Sequence, residues 1–506
     1  MTIPDAEPLD ARELDARLLD AWRRARDDGR APFTIPGHKR RAAAIDPTLG
    51  DLLDVDVPMF GGLGTIKGAV ATLSQAEAAG ADLWDADGCR YSTGGTTHAN
   101  QALILALGAP GDTVLVSRTA HRSTLSALVL AGLRPVWLPP VLDPEWGVPT
   151  GLDLDAFDRA VEAHPGAVGV LLVEPGYLGG VSDLAEVCRR AHGAGLPLVV
   201  DQAWGAHFGF HPAYPPHALQ AGADAMAISA HKSLPAYSQA SVALARTERL
   251  DRDRLERAFD MSATTSPAGS ILASIDASRA LLADERVGQC FDRLLTSAAS
   301  IREAVGRLPG VHVLDPTVDG PGRADPAKVV ILLTRSTVSG NDIATDLIAA
   351  GVPVELADRH TMVPIVTLAD DAESTGRFVD AFGAAYRRLG GALDRDAGRA
   401  GPHPEIPPAP LTPRAAFFAR HDVVMMADAV GRVCAETIAP YPPGIPLLVP
   451  GETVTEQSVD ALRWAADSGR RIAYAADPSL RTVQVVAHDA VTAAAAADIT
   501  PSGPLL

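Results

Sequence analysis

A lysine follows a strand-like apolar segment near the middle of the sequence. The run ADAMAI (223–228) leads into SAHKSLPAYSQAS (229–241), which sets Ser229, His231 and Lys232 close together. Most lysines at strand ends are solvated and have no chemical role. A lysine held in a pocket can instead act as a nucleophile, because its amine forms Schiff bases with carbonyl groups. These three side chains are therefore candidate active-site residues.

Other polar residues also follow apolar segments or precede helical ones. YSTGGTTHANQA places Gly95, Thr96 and Thr97 before a helical pattern, where backbone N–H groups and hydroxyls suit a phosphate group. His121 follows the run DTVLVSR, and Asp201 follows PLVV. A carboxylate after four apolar residues is costly unless a cationic group meets it. Because ligands of open α/β sheets gather at the carboxyl ends of the strands, we expect one ligand to meet these side chains.

One cofactor accounts for all of these residues. Pyridoxal phosphate requires a lysine for its aldehyde, a carboxylate for its pyridinium nitrogen, donors for its phosphate and a flat group to cover its ring. Without a shared ligand, each of these sites would need its own structural explanation, and all of these explanations would have to hold together. The residues expected in these roles are Lys232 for the aldehyde, Asp201 for the ring nitrogen, Gly95, Thr96, Thr97, Ser229 and His231 for the phosphate, and His121 for the ring.

Alternating strand and helix patterns would position these residues. Nearly continuous apolar runs predict strands that are buried on both faces of a sheet, and helical stretches separate several of them. The pattern predicts an α/β domain with a mainly parallel sheet. The predicted strands are DTVLVSR, RPVWLPP, AVGVLLVEP, PLVVDQAW, AMAISAHK and ASVALAR, and the predicted helices include THANQALILALGA, RSTLSALVLAG and LAEVCRRAHGAG.

The 506 residues are too many for one small core, and the sequence divides into several parts. An amphipathic helix with Leu14, Leu18, Ala21 and Trp22 along one side indicates an N-terminal arm, which would pack either on a neighbouring subunit or on its own domain. A smaller α/β domain contains KVVILLTR, and a Pro- and Gly-rich stretch, GRAGPHPEIPPAPLTPRA, precedes a C-terminal α+β domain. The predicted boundaries are the arm at 1–45, the cofactor-binding large domain at 46–295, the small domain at 296–395 and the C-terminal domain at 396–506.

Charge and cysteine content exclude several classes of protein. The 44 basic and 62 acidic side chains give a net charge of −18, which argues against nucleic acid or an anionic membrane as the main partner. The cysteines are scattered without a CxxC pair, so neither disulfides nor a metal site is predicted. The first residues lack a basic segment followed by an apolar core, and no apolar run reaches about 20 residues. A cytoplasmic protein is predicted.

The motifs resemble those of the bacterial ornithine/lysine/arginine decarboxylases, which have the aspartate aminotransferase fold (fold type I). SAHKSLPAYSQAS is similar to the Ser-x-His-Lys signature of this family with its downstream Gln. PFTIPGHK, STGGTTHANQA, TAHRS, SATTSPAGSILASIDASR and YPPGIPLLVPGE also resemble family segments, in family order from about residue 33 to residue 452. Ordinary aminotransferases lack the last of these. The chain resembles a short member, without the N-terminal wing domain of the inducible enzymes.

The resemblance implies further site residues and a partner. Within SATTSP, Thr264 or Ser266 would reach the phosphate of the partner subunit, so that a homodimer or higher oligomer forms the active site. Trp204 is a further expected cofactor-binding residue. It matches the DQAW form of the large inducible enzymes, whereas short members often carry His at this position. Gly94 stands where the phosphate loop of the family usually has Asn. The resemblance implies that both departures leave cofactor binding intact and bear on the choice of substrate.

The implied activity is decarboxylation of arginine, lysine or ornithine, which yields CO2 and agmatine, cadaverine or putrescine, amines of polyamine biosynthesis. A cationic side chain needs acceptors, and Glu355, Asp358 and Glu452 are candidates that are equally open to structural roles. Arginine and lysine rank about equal, and ornithine follows. Two alternatives stay open. One is transamination or oxidation of the same amino acids; the other is a non-catalytic regulator, which would be expected to lose Lys232 or Asp201.

Overall fold

The structure is a computed structural model. It describes residues 14–27, scattered positions between 36 and 59, and residues 72–315, 324–395, 404–441 and 444–499, with 496–499 described by their backbone only. Most of the PFTIPGHK segment lies outside the described residues. The chain divides into two compact units. The Lys232 unit holds the described residues of 7–106 and 199–291, and the C-terminal unit holds those of 107–198 and 292–506.

Helices and strands alternate through much of the chain. The described helices are α1 Arg17–Asp27, α2 Thr72–Leu83, α3 Gly95–Leu107, α4 Arg122–Ala131, α5 Leu154–Ala163, α6 Leu184–Gly193, α7 Ala218–Ala221, α8 Ala230–Ser233, α9 Arg252–Ser262, α10 Gly269–Leu282, α11 Val287–Gly306, α12 Gly340–Ala349, α13 Ala372–Arg388, α14 Pro413–Phe418, α15 Glu456–Asp467 and α16 His488–Ile499. The described strands are β1 Gly88–Ser92, β2 Thr113–Ser117, β3 Arg134–Leu138, β4 Pro140–Leu142, β5 Pro149–Leu152, β6 Val170–Val173, β7 Leu198–Asp201, β8 Ala225–Ser229, β9 Ser241–Ala245, β10 His312–Val313, β11 Ile331–Leu332, β12 Leu356–Ala357, β13 Thr361–Val363, β14 His421–Met425, β15 Ala439–Tyr441, β16 Arg471–Ala473 and β17 Thr482–Val486.

The strands of the Lys232 unit carry the candidate lysine and carboxylate. β7 and β8 pair in parallel, β8 pairs antiparallel with β9, and β9 pairs antiparallel with β1. Every residue of β8 and β9 is buried, which explains why AMAIS and SVALA are nearly continuous apolar runs. The sequence did not predict β1, because Arg90 interrupts its apolar pattern. The antiparallel direction of β9 was not predicted either.

The C-terminal unit contains three parallel strands and several smaller antiparallel ladders. β2 pairs in parallel with β3 and with β6, which together with the β7–β8 pair confirms the predicted α/β class with mainly parallel strands. Later strands form a β10–β11–β13–β12 sheet and the pairs β14–β17 and β15–β16. KVVILLTR forms a shorter strand than predicted, because only Ile331 and Leu332 pair with a neighbour.

Two apolar cores follow one another in the later part of this unit. One surrounds Ile331 and Phe382, and the other surrounds Leu462 and Val485, all of them buried. These cores are the packing expected of a small domain and a C-terminal domain. The predicted domain boundaries stay predictions.

The N-terminal helix packs within the Lys232 unit. Leu18, Ala21 and Trp22 of α1 are buried, as the amphipathic pattern predicted. The backbone N–H of Leu18 donates to Oδ2 of Asp276 on α10, at 2.8 Å. Of the two alternatives for the arm, the structure therefore shows the second, in which the arm packs against its own unit.

The described residues bear on three predicted absences. No helix among them is long and apolar enough to cross a membrane. Within the same residues, no group of three or more His, Cys, Asp or Glu side chains is arranged to hold a metal ion. The cysteines, Cys89, Cys188, Cys290 and Cys434, are buried free thiols.

Candidate active site

The candidate lysine and carboxylate stand at the ends of two neighbouring parallel strands. Asp201 is the last residue of β7 and lies opposite Ala227 of β8. β8 ends at Ser229, and the short helix α8 begins at the next residue and carries Lys232. The parallel register thus brings the end of β7 and the lysine turn to the same edge of the Lys232 unit, as the strand-end argument predicted.

The lysine amine lies over an aromatic ring. Nζ of Lys232 is 4.3 Å from the centroid of the Trp204 ring. Both side chains are half-buried. An aromatic face attracts an ammonium group and restricts where it can move. Trp204 therefore orients Lys232, a role that the sequence did not predict.

Asp201 is held by an asparagine that the sequence analysis missed. The aspartate is 6% exposed, and its Oδ2 accepts a hydrogen bond of 2.6 Å from Nδ2 of Asn100. Its Oδ1 accepts the N–H of Ala203, at 3.2 Å. Asn100 lies one helical turn after Thr96 on α3 and is also buried. That spacing, which puts an amide on the same helix face as a candidate phosphate donor, was the signal available in the sequence.

The turn before α3 combines a left-handed glycine with open space beside it. Gly95 has a left-handed φ of +67°, and nothing lies within 4 Å of the position where a Cβ would stand. Its N–H donates to the carbonyl of Gln239, at 3.0 Å, and Gln239 itself adopts a left-handed φ of +74°. Oγ1 of Thr96 lies 2.5 Å from Oγ of Ser229. The structure therefore joins two predicted phosphate residues from α3 and β8.

A buried histidine fixes this turn from below. Oγ of Ser92 accepts the N–H of Gly94, at 3.0 Å, and lies 2.7 Å from Nδ1 of His98. Nε2 of His98 donates to the carbonyl of Phe259, at 3.0 Å. Burial lowers the pKa of His98, which keeps the ring neutral, so that Nδ1 accepts the Ser92 hydroxyl. Ser92 and His98 were not predicted as site residues.

His231 makes its contact within the lysine loop. Its Nδ1 donates to the carbonyl of Ala240, at 2.9 Å. Its pKa is lowered, chiefly by burial and further by the charge of Lys232, so the ring is neutral near pH 7. The contact ties the turn after β8 to the residue before β9. The predicted phosphate contact of His231 stays a prediction, as does that of the exposed Thr97.

His121 and Arg118 belong to the C-terminal unit. His121 is exposed and caps α4, where its Nδ1 accepts the N–H of Ser123 at 3.2 Å. Its predicted stacking on the cofactor ring stays a prediction. Three residues earlier, the buried Arg118 forms a bidentate ion pair with Glu452, with Nη2 2.9 Å from Oε2. Nε of Arg118 also donates to the carbonyl of Pro446, at 3.1 Å.

The proposed substrate acceptors have different surroundings. Glu452 is fully buried, and its Oε2 also accepts the N–H of Val449 at 3.0 Å. Oδ1 of Asp358 accepts the N–H groups of His360 and Thr361, at 2.7 and 2.5 Å, which closes the turn between β12 and β13. These contacts give both carboxylates structural roles. A role in substrate binding would require their oxygens to be shared, and it stays a prediction.

The third acceptor, Glu355, is exposed. Its Oε1 lies 3.5 Å from the hydroxyl of Tyr177. Arg118 and Asp358, but not Glu355, line a cavity of about 910 Å3 in the C-terminal unit. Of the three candidate acceptors, Glu355 is the one whose carboxylate is open to solvent.

The residues of the Lys232 unit fit pyridoxal phosphate. An amine, a buried carboxylate and a glycine turn at a helix N-terminus match its aldehyde, its ring nitrogen and its phosphate. The open space above Gly95 admits a bulky group where any other residue would place a side chain. The Asn100 hydrogen bond leaves Asp201 an acceptor that can take a second donor. The aldehyde, the ring nitrogen and the phosphate of the cofactor each have a chemically suitable partner within this unit.

Comparison with known families decides the class of enzyme. A model of the Orn/Lys/Arg decarboxylase major domain matches residues 19–322, and a model of the C-terminal domain matches residues 397–471. The chain belongs to the Orn/Lys/Arg decarboxylase family. Family membership confirms the predicted amino-acid decarboxylase and implies pyridoxal phosphate as the cofactor. The predicted activity, decarboxylation of a basic amino acid, is the one that names the family.

Relatives of this decarboxylase cover nearly its whole length. The arginine decarboxylase of Bacillus subtilis is 31% identical over 466 residues, which are 90% of this chain and 94% of the relative. That of Halalkalibacterium halodurans is 32% identical over 473 residues, 91% of this chain and 95% of the relative. The solved structure of lysine decarboxylase A from Pseudomonas aeruginosa has a TM-score of 0.77 at 21% identity, covers 93% of this chain and 80% of its own, and shares the fold.

The Arg118–Glu452 pair gives a stability prediction for this decarboxylase. Replacing Glu452 with glutamine leaves a buried guanidinium without its counter-charge, so we expect the free energy of unfolding to fall by about 3 kcal/mol. Asp489→Asn provides the control, because Asp489 pairs with Arg420 at an exposed site. Its free energy of unfolding should differ from that of the wild type by less than about 1 kcal/mol. Urea unfolding of both variants measures the difference. Equal losses in the two variants would contradict a structural role for Glu452.

Proposed function

We propose that this protein is a pyridoxal-phosphate-dependent arginine decarboxylase, which converts arginine to agmatine and CO2. The observation that supports the proposal is the parallel pairing of β7 and β8, which puts Asp201 and the Lys232 turn at the same edge, together with the contact between Thr96 and Ser229. The arginine decarboxylases of Bacillus subtilis and Halalkalibacterium halodurans support the choice of substrate, because they match this chain at 31% and 32% identity over 90% and 91% of its length.

The residues of the site would divide the chemistry as follows. When bound, pyridoxal phosphate supplies an electron sink for the pair left at Cα as CO2 departs. Lys232 would hold the cofactor through its aldehyde, and its Nζ would carry a proton to the substrate Cα. Asp201 holds a proton on the ring nitrogen through its negative charge. Asn100 keeps that carboxylate in place.

Substrate choice would depend on acceptors for a planar guanidinium group. Arginine offers paired N–H donors that a carboxylate accepts in bidentate fashion, whereas lysine offers a single ammonium. Glu355 is the acceptor that we favour, because its carboxylate is exposed and its Oε1 lies 3.5 Å from the hydroxyl of Tyr177. Asp358 and Glu452 remain candidates through rearrangement of their present contacts.

A direct assay tests the proposed substrate. Arginine, lysine and ornithine are supplied separately at equal concentration to the purified enzyme with pyridoxal phosphate, and CO2 is measured. We expect arginine to give the highest kcat/KM. Keto acid and hydrogen peroxide are measured in the same samples, because they are the products of the alternative transaminase and oxidase. CO2 from an aromatic or acidic amino acid alone, or keto acid without CO2, would refute the proposal.

We also propose a homodimer with a shared active site. Thr264 and Ser266 lie in the loop between α9 and α10 and are exposed, with the N–H of Ser266 3.3 Å from Oγ1 of Thr264. An exposed hydroxyl pair on a short loop is suited to reach the phosphate in a partner subunit. Buried free thiols are typical of a reducing compartment, which favours the cytoplasm as the place of this reaction and of polyamine formation.

Mixing two inactive variants tests the shared site. We expect Lys232→Ala and the double variant Thr264→Ala/Ser266→Ala to recover about a quarter of wild-type activity when equal amounts exchange subunits, because half of the dimers are mixed and each has one intact site. Lys232→Ala mixed with Asp201→Ala is the control. Both of those residues serve one subunit's own site, so no mixed dimer is intact. Recovery in neither mixture, with exchange demonstrated by differently tagged chains, would refute sharing.

A further inference from the structure

A buried hydroxyl lies near the turn that begins α3. Ser241, the first residue of β9, is 0% exposed, and its Oγ has no hydrogen-bond partner among the described residues. Buried hydroxyls are nearly always hydrogen-bonded, because desolvation without a partner costs free energy. No motif in the sequence indicated a role for Ser241. An orphaned group of this kind is the expected state of a donor whose acceptor is a ligand.

Strand register places this hydroxyl between two residues that hold the turn. Ser241 is directly opposite Ser229 on β8 and directly opposite Ser92 on β1. Side chains of directly opposed residues point to the same face of a sheet, with Cβ atoms about 5 Å apart. The three serines therefore form one row across β1, β9 and β8.

Both neighbours of Ser241 in this row contact the start of α3. Oγ of Ser229 is 2.5 Å from Oγ1 of Thr96, and Oγ of Ser92 accepts the N–H of Gly94 at 3.0 Å. Ser241 is the middle member, so its hydroxyl lies beneath the same turn. The first N–H groups of any α-helix lack intrahelical acceptors, and those of α3 add to the positive potential at this point.

We propose that Ser241 is a phosphate-binding residue of the cofactor site. Its hydroxyl donates to the phosphate group that the α3 turn receives, and this acceptor relieves the unsatisfied donor of the ligand-free protein. The inference rests on the proposed cofactor and adds a residue to its site. The Ser241 hydroxyl should therefore destabilise the cofactor-free protein and stabilise the protein with phosphate bound.

Ser241→Ala tests the effect of the hydroxyl on the cofactor-free and the cofactor-bound protein. Affinity for pyridoxal phosphate is measured by equilibrium dialysis with cofactor-free protein, and the thermal midpoint of that cofactor-free protein is measured in parallel. We expect the Kd to rise about 10- to 100-fold, the loss typical of a hydrogen bond to a charged group. The midpoint of the cofactor-free variant should equal or exceed that of the wild type, because an unsatisfied donor has been removed.

Ser297→Ala is a matched control. Ser297 lies on α11 in the C-terminal unit, is 0% exposed, and its Oγ likewise has no hydrogen-bond partner among the described residues. Its removal should leave the Kd unchanged. An unchanged Kd for Ser241→Ala, or a lowered midpoint of the cofactor-free variant, would overturn the inference while the wild type still binds cofactor. A wild type that binds no pyridoxal phosphate would overturn the proposed function itself, and the inference with it.

Discussion

Lys232→Ala should lower kcat for decarboxylation by more than about 10⁴-fold, because the amine both bonds the cofactor and handles the proton at Cα. Lys232→Arg should be equally inactive. Arginine keeps a positive charge near Trp204, which lies 4.3 Å from Nζ in the wild type, but it cannot bond an aldehyde. The pair of variants thus separates the charge of the side chain from its nucleophilic amine. Activity of Lys232→Arg within tenfold of the wild type would refute a covalent role.

Borohydride reduction identifies the lysine directly. Reduction of the loaded enzyme should fix the cofactor on the peptide that contains Lys232, as mass spectrometry of a digest would detect. The other lysines of the chain are Lys39, Lys67 and Lys328, and a label on any of them would contradict the assignment. Lys328→Arg serves as the activity control. Its ammonium lies 5.1 Å from the ring of Tyr177 in the C-terminal unit, and we expect this variant to retain activity.

Asp201→Ala should lower kcat by about 10³-fold, because the ring nitrogen loses the negative charge that keeps it protonated. Asn100→Ala should have a smaller effect, about 10- to 100-fold, since it removes one hydrogen bond to that carboxylate and leaves the charge in place. The expected order of the two effects follows because only Asp201→Ala removes the negative charge. A loss in Asn100→Ala equal to that in Asp201→Ala would contradict a positioning role for the amide.

A second buried aspartate provides the control for both variants. Asp224 is 2% exposed and immediately precedes β8, at the opposite end of that strand from Lys232. Its Oδ1 lies 3.2 Å from Nη1 of Arg249. Asp224→Asn should reduce stability without reducing kcat. The change in the absorption spectrum of the cofactor with pH gives a further readout, because loss of Asp201 should lower the pKa of the ring nitrogen. A spectrum that titrates as in the wild type would argue that another group meets this nitrogen.

The local sequence was enough to predict the strand ends that carry the chemistry. PLVVD and AMAIS are apolar because β7 and β8 are buried within a sheet, and each run ends where a polar side chain first becomes tolerable. Asp201 and Ser229 are those residues, and Lys232 follows within one turn. The helix beginning at Gly95 was readable for a similar reason, since glycine and threonine mark a helix start. Periodicity and turn chemistry act over a few residues, and so the sequence displays them.

The tertiary structure determined which residues far apart in the chain contact one another. Asn100 and Asp201 are 101 residues apart, and Arg118 and Glu452 are 334 residues apart, so neither hydrogen bond leaves a pattern within one segment. The antiparallel direction of β9, which aligns Ser241 with Ser229, is equally hidden, because a fully buried strand has the same apolar pattern in either direction. The sequence by itself determined which residue types stand at the strand ends. Only packing decided which of them meet, because the free energy of a contact depends on burial and geometry that arise when distant segments come together.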